Sequence, residues 1–167
     1  AISLGASVPA ADLASAADAV VFGIYFNVGQ CCNSGSRILV HEDIAEAFTE
    51  KVVALSRKVA FGDPLDPATQ VGAIVSPEHG AKIDGYVAAA RKAGARVALG
   101  GGPLQVPGLG PQFYQPTVVT GVTPDMAIAR DLIESAARFA KADFVKFQKR
   151  CNRELLTPEE YNAPHPN

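Results

Sequence analysis

An α/β domain with an open, partly parallel sheet is the fold class this sequence predicts, and three observations predict it. Short β-type runs alternate with longer helical stretches along the chain, the pattern of strands joined by crossover helices. Hydrophobic residues make up 48% of the chain and charged residues 19%, which supports a packed core and argues against wholesale disorder. The length of 167 residues suffices for one domain and is too short for two ordinary enzyme domains.

The first element is a helix over Asp12 to Phe26, where the run Ala14-Ser15-Ala16-Ala17 has high propensity and Asp12 is a candidate cap. Val20, Val21, Ile24 and Phe26 make it apolar nearly all round, so it is expected to be buried. Asn27-Val28-Gly29-Gln30 ends it, with Gly29 free to take positive φ. Arg37 to His41 is a short β-type run. Asp43 then precedes an amphipathic helix, Ile44 to Val59, with Phe48, Val52 and Leu55 at helical spacing. The prolines of Gly62-Asp63-Pro64-Leu65-Asp66-Pro67 make a loop. A further helix starts at Ser76-Pro77, places Ile83, Tyr86, Val87 and Ala90 on one face, and ends at Gly94. Arg96 to Leu99 reads as a strand, Gly100 to Gly110 as a connector, and Tyr114 to Val119 as a last strand with Pro116 near its start.

Composition narrows the function. A net charge of -2 leaves no basic surplus to neutralise phosphates, which argues against nucleic acid as a partner. Apolar runs such as Ala16 to Phe26 fall short of the roughly 20 residues a bilayer requires, so no membrane partner is expected. Ala1 to Asp12 lacks the charged start and apolar run of a signal peptide. The expected compartment is therefore the cytoplasm, with the 3 cysteines as thiols.

The segment Gly29-Gln30-Cys31-Cys32-Asn33-Ser34-Gly35-Ser36-Arg37 carries the most chemical information. It sets adjacent cysteines in a glycine-flanked loop between a helix and a strand, where a side chain is presented on a rigid support. A nucleophilic thiol needs thiolate character, which backbone N–H groups or a cation such as Arg37 would supply. The competing reading is that both cysteines are small buried hydrophobes. Adjacent cysteines without a His–Cys cluster do not have metal-ligand spacing, so no metal site is expected. His41, His79 and His165 are the candidate partners of a Cys–His pair. Gly100-Gly101-Gly102 leads into Pro103 rather than into a helix, so it lacks the N-terminus of a phosphate loop.

Tyr25-Phe26-Asn27-Val28-Gly29-Gln30-Cys31-Cys32-Asn33-Ser34-Gly35-Ser36-Arg37 resembles the active-site cysteine segment of the aldehyde dehydrogenase superfamily. The likeness continues in order through Val40 to Phe48, Gly62-Asp63-Pro64, Val71-Gly72, Gly94-Ala95, Gly100-Gly101, Gln115-Pro116-Thr117-Val118 and Met126-Ala127-Ile128-Ala129-Arg130. It covers about residues 10–130, so that 1–130 is expected to be a catalytic-domain fragment. The resemblance implies Cys32 as the nucleophile. Its thiolate would attack a small-molecule aldehyde to give a thiohemiacetal, hydride would pass to NAD or NADP, and water would hydrolyse the resulting thioester. The resemblance also sets His79 and Lys82 beside the cofactor ribose, although His79 stands where the family usually has glutamine. It implies association into a homo-oligomer.

The departures predict an impaired or inactive enzyme. No Glu-Leu-Gly-Gly motif, source of the family's general base, precedes Cys32. The oxyanion-binding asparagine and most of the dinucleotide-binding domain would likewise lie upstream. After Arg130 the family continues Glu-Glu-Ile-Phe-Gly-Pro, and the position of its ribose-binding glutamate here holds Leu132. A non-catalytic interaction module is the alternative reading.

Residues 131–167 resemble a different protein, the N-terminal part of sialic acid (N-acetylneuraminate) synthase, which condenses phosphoenolpyruvate with an N-acyl sugar on a TIM barrel. Asp131 to Lys141 reads as a helix and Ala142 to Arg150 as a strand, one helix–strand unit of such a barrel. Alternation sets Lys146 and Gln148 on one strand face, and the resemblance assigns both to substrate binding. One strand of eight cannot close a barrel, so the expected tail is a fragment, and a synthase-like function for the whole chain is a further alternative.

Overall fold

A computed structural model describes residues 2–4, 10–31 and 34–130. Three long α-helices and six short strands appear among them, besides a 3-10 turn at Phe26–Gly29 and a helical turn at 127–130: β1 (Ile2–Leu4), α1 (Ala10–Tyr25), β2 (Ile38–Val40), α2 (Glu42–Ser56), α3 (Pro77–Lys92), β3 (Arg96–Leu99), β4 (Pro103–Leu104), β5 (Phe113–Tyr114) and β6 (Val118–Thr120). The mixed helix–strand class is as expected, but the sheet is not one open layer. The described strands form three two-stranded sheets, with β1–β2 parallel and β3–β6 and β4–β5 antiparallel. Strands of two to four residues, broken by glycine and proline, are too short to recruit a third neighbour. The helix–strand barrel unit expected at 131–167 lies outside the described residues.

α1 begins two residues before Asp12, which sits in the first turn, where its negative charge meets the positive end of the helix dipole. Leu13, Ala17, Val20 and Val21 are buried, all on one side of the helix. The opposite side is open, with Phe22 70% and Phe26 57% exposed and their rings 5.7 Å apart. The expectation of an all-round buried helix is therefore corrected. Periodicity alone missed the asymmetry because the apolar residues run past the face that α2 covers.

α2 starts at Glu42, capped by His41, whose ring nitrogen accepts the Asp43 N–H. Its Phe48 and Val52 close on the α1 stripe to form the larger core, which Ile38, Val40, Leu55 and Val118 border. Each large side chain buried there stabilises the fold by about 1.5–3 kcal/mol. The loop after α2 is ordered by carboxylate turns: Asp63 accepts the Leu65 N–H and Asp66 accepts the Ala68 N–H, each at 2.9 Å. A parallel bridge between Phe61 and Val71 closes its ends.

α3 follows the sequence closely. Ser76 caps it by accepting the His79 N–H at 3.2 Å, and Pro77 occupies the first turn. Val87 and Ala90 are buried, and Gly94 leaves the helix at φ 96°. β3 then pairs with β6 across a bulge between Val97 and Leu99. The strand expected over Tyr114 to Val119 is split into β5 and β6. Pro116 has no N–H to give, and Thr117 turns its hydroxyl to the backbone, accepting the Gly101 N–H at 3.0 Å and donating to the Gln115 carbonyl at 2.9 Å. Gly100 and Gly101, both at positive φ, make the facing corner. A Cβ on Gly100 would run into the Pro116 carbonyl oxygen. Gly100 thus serves close backbone packing, while Gly101 lies against the Arg91, Val97 and Val87 side chains.

Candidate active site

The cysteine loop is reached through an unusual bend. α1 ends at Tyr25, and Asn27, Val28 and Gly29 then take φ values of 50°, 62° and 72° in succession. Gly29 adopts this region at no cost, and asparagine visits it readily. A β-branched valine does not, and such a residue costs of order 1–3 kcal/mol. The bend reverses the chain tightly, which helix-compatible angles would not do.

Hydrogen bonds hold the bend. The Gln30 N–H donates to the Asn27 carbonyl at 3.0 Å, and the Asn27 side-chain amide donates to the Gln30 carbonyl at 3.2 Å. The Ser34 N–H donates to the Cys31 carbonyl at 3.1 Å, and its hydroxyl reaches the Gly29 carbonyl at 3.5 Å. Cys31 is a half-buried free thiol. Cys32, the expected nucleophile, lies outside the described residues together with Asn33. Arg37 is half-buried at the entrance to β2 and forms no ion pair within the described residues.

Beneath the bend, the Tyr25 side chain lies against Ser56, a fully buried polar residue of α2. Burial pushes the Tyr25 phenol up, and the neighbouring Ser56 hydroxyl, a buried group without a hydrogen-bond partner among the described residues, works weakly the other way. Above it, the Gln30 side-chain oxygen accepts the Val75 N–H at 3.2 Å. This bond spans 45 positions in sequence and fastens the cysteine loop to the residue just before the α3 cap.

His79 and Lys82 sit in the first turns of α3, one half-buried and one exposed. Three residues apart, they are neighbours on the helix surface. His41 caps α2 instead of sitting in the cysteine loop, and His165, Lys146 and Gln148 lie outside the described residues. An open cleft of about 440 Å³ flanks α3, lined in part by Asp84, Ala88, Arg91 and Gly101. Lys82 and Asp84 lie about 200° apart around the helix, so the cleft and the His79–Lys82 edge face different ways. At the cleft's rim the Tyr114 hydroxyl donates to Asp84 at 2.6 Å. Burial first, then that bond and the carboxylate charge, hold the Tyr114 phenol protonated well above its ordinary range, and Arg91 offsets a little.

Toward NAD or NADP, the described residues present the His79–Lys82 edge of α3. The cleft beside α3 is a separate, open surface whose lining carries one charge of each sign, Asp84 and Arg91. The fit stops at one edge. Sequence reasoning missed both the Gln30–Val75 bond and the Asp84–Tyr114 pair, because spacings of 45 and 30 residues leave no local periodic signal.

Comparison with known proteins extends this geometry. A family model described as Aldehyde dehydrogenase family matches residues 8–133, slightly beyond both ends of the likeness read from the motifs. Betaine aldehyde dehydrogenase from Brucella anthropi is 39% identical over 124 residues, covering 74% of this chain and 26% of that protein. The solved NAD-dependent aldehyde dehydrogenase of Sinorhizobium meliloti is similar with a TM-score of 0.69 and 46% identity, over 76% of this chain and 24% of that one. Betaine aldehyde dehydrogenase of Staphylococcus aureus, solved in complex with NAD+, matches with a TM-score of 0.71 at 32% identity, over 77% of this chain and 25% of that one. The chain spans about a quarter of the length of these relatives.

Proposed function

The chain belongs to the aldehyde dehydrogenase family, and from that premise we propose that it carries the family's cysteine nucleophile, Cys32, and performs the addition step of aldehyde oxidation. The Cys32 sulfur forms a bond to the aldehyde carbonyl carbon. The carbonyl π pair moves to oxygen, which takes up the proton the thiol gives up, and a thiohemiacetal results. The observation that carries this reading is the hydrogen-bonded left-handed bend at Asn27–Gly29, which delivers the cysteine segment between two anchored elements.

His79 and Lys82 are the proposed cofactor contacts, and NAD or NADP when bound supplies a hydride acceptor. Cofactor binding is expected to be weakened, since Leu132 stands where the resemblance puts the ribose-binding glutamate. We read residues 131–167 as a sialic acid synthase-like piece, on the resemblance around Lys146 and Gln148, without a synthase reaction of its own. The open Phe22–Phe26 pair supports the second reading, that the chain also acts as an interaction module, for instance in self-association.

The test is competitive alkylation of the 167-residue chain with iodoacetamide, mapped by peptide mass. Cys32 is expected to label at least about tenfold faster than Cys31 and Cys151, as a lowered thiol pKa dictates. Prior incubation with an aldehyde should slow it, and the names of the relatives make betaine aldehyde the first to try. Equal labelling of all three cysteines, appearing only on unfolding, would overturn the reading.

A further inference from the structure

Gln30 links two parts of the molecule that the sequence keeps far apart. Its main chain is engaged in the left-handed bend, while its side-chain oxygen accepts the Val75 N–H at 3.2 Å. Val75 is followed directly by Ser76, the cap of α3, whose first turns carry His79 and Lys82. The Val75 side chain is 74% exposed while its neighbour Ile74 is buried, so packing seats the segment at Ile74 and the backbone bond from Val75 ties it to the cysteine loop. On the other side of Val75, the Ile74 N–H is fixed to the Gln112 carbonyl at 2.7 Å. The segment is therefore anchored on both sides of Val75, and Gln30 is the side chain that ties it to the cysteine loop. We propose that Gln30 is a positioning residue: its side-chain carbonyl sets the cysteine loop at a fixed distance from the α3 cap. The inference rests on the reading of Cys32 as nucleophile.

The physical reason is strain. A loop with Asn27 and Val28 at positive φ opens toward ordinary angles unless something beyond the loop holds it. The bonds between Asn27 and Gln30 are internal to the bend and move with it. The Gln30–Val75 bond is external, so it determines where the loop points. Its effect is geometric.

The experiment uses the full chain with three substitutions. Gln30→Met keeps the length and removes the acceptor. Gln30→Asn keeps the amide one methylene short of Val75. Gln30→Glu keeps acceptor oxygens at full reach. Two quantities are read: hydrogen exchange at the Val75 amide, and the pH profile of iodoacetamide labelling at Cys32 relative to Cys31. Gln30→Met and Gln30→Asn are expected to speed Val75 exchange about tenfold and to bring the Cys32:Cys31 ratio toward one, and Gln30→Glu to restore both. A ratio well above one that Gln30→Met and Gln30→Asn leave unchanged overturns the proposal alone, as does unchanged Val75 exchange. A ratio near one already in the unsubstituted chain overturns the nucleophile reading and the proposal with it. A purely structural role would lower the melting temperature in all three variants without rescue by Gln30→Glu, and that outcome also overturns the proposal.

Discussion

The two halves of the described molecule are held together in different ways. From Ala10 to Val59, α1 and α2 meet through bulky side chains, with Val20, Val21, Phe48 and Val52 closing on one another. From Pro77 to Arg130, the buried cluster is Ala90, Ala95 and Met126, and backbone contacts carry much of the rest. There Thr117 ties the glycine corner to β6, and Arg91 reaches across to the Gly101 carbonyl at 3.3 Å. The first half therefore draws its stability from buried apolar area. The second depends on closely fitted main chain, where an added methyl is worse than a missing one. The cysteine loop emerges from the bulky half and is clamped to the entrance of the finely fitted one.

The sharpest way to break this comparison is to remove one large side chain from each half. Phe48→Ala should cost about 3–5 kcal/mol and Met126→Ala about 2 kcal/mol, read from urea midpoints, because the small cluster leaves a cavity that collapses more easily. Equal costs would mean that the second half has a larger core than Ala90, Ala95 and Met126 provide. A methyl group added instead probes the fitted main chain. Gly100→Ala combines positive φ with a clash on the Pro116 carbonyl, and should cost at least about 2 kcal/mol in thermal or urea unfolding. Gly101→Ala meets the flexible end of Arg91 as its nearest neighbour and should cost less.

The smallest expected effect is electrostatic. The Tyr114 phenol stays protonated in the folded chain at a pH where the unfolded chain, with its ordinary value of 10.0, has lost the proton. The folded state then binds more protons than the unfolded one, so this contribution is fully present below that pH and is lost as pH rises through it. Melting temperature measured from about pH 9 upward should fall in the unsubstituted chain, and more gently in Tyr114→Phe. Identical slopes would show that the Asp84–Tyr114 bond is not formed in solution.

Much of the fold was legible locally. α2, α3 and β3 follow from apolar spacing, the Ser76-Pro77 start and the Gly94 stop, all of which are nearest-neighbour effects. Asn27-Val28-Gly29 was recognised as a helix end for the same reason, although the positive φ at Val28 was not, since nothing about a valine announces it. β1 and β4 were not foreseen, because strands of two or three residues exist only through their partners. Of the candidate site, the cysteine segment was evident as a motif, while His79 and Lys82 entered only through the family resemblance. Gln30 had no assigned role, since what its side chain does depends on a backbone 45 residues away.

Taken by itself, the order of residues determined which segments coil, where they stop, and which family the chain belongs to, because caps, glycine stops and motif spacing act within a few residues. Which side of α1 stays open, how the strands divide into pairs, and what grips the cysteine loop were decided only when distant segments met. Those outcomes depend on a backbone N–H, a carbonyl or an apolar face being left over on one segment and matched on another, and no stretch of sequence contains both partners.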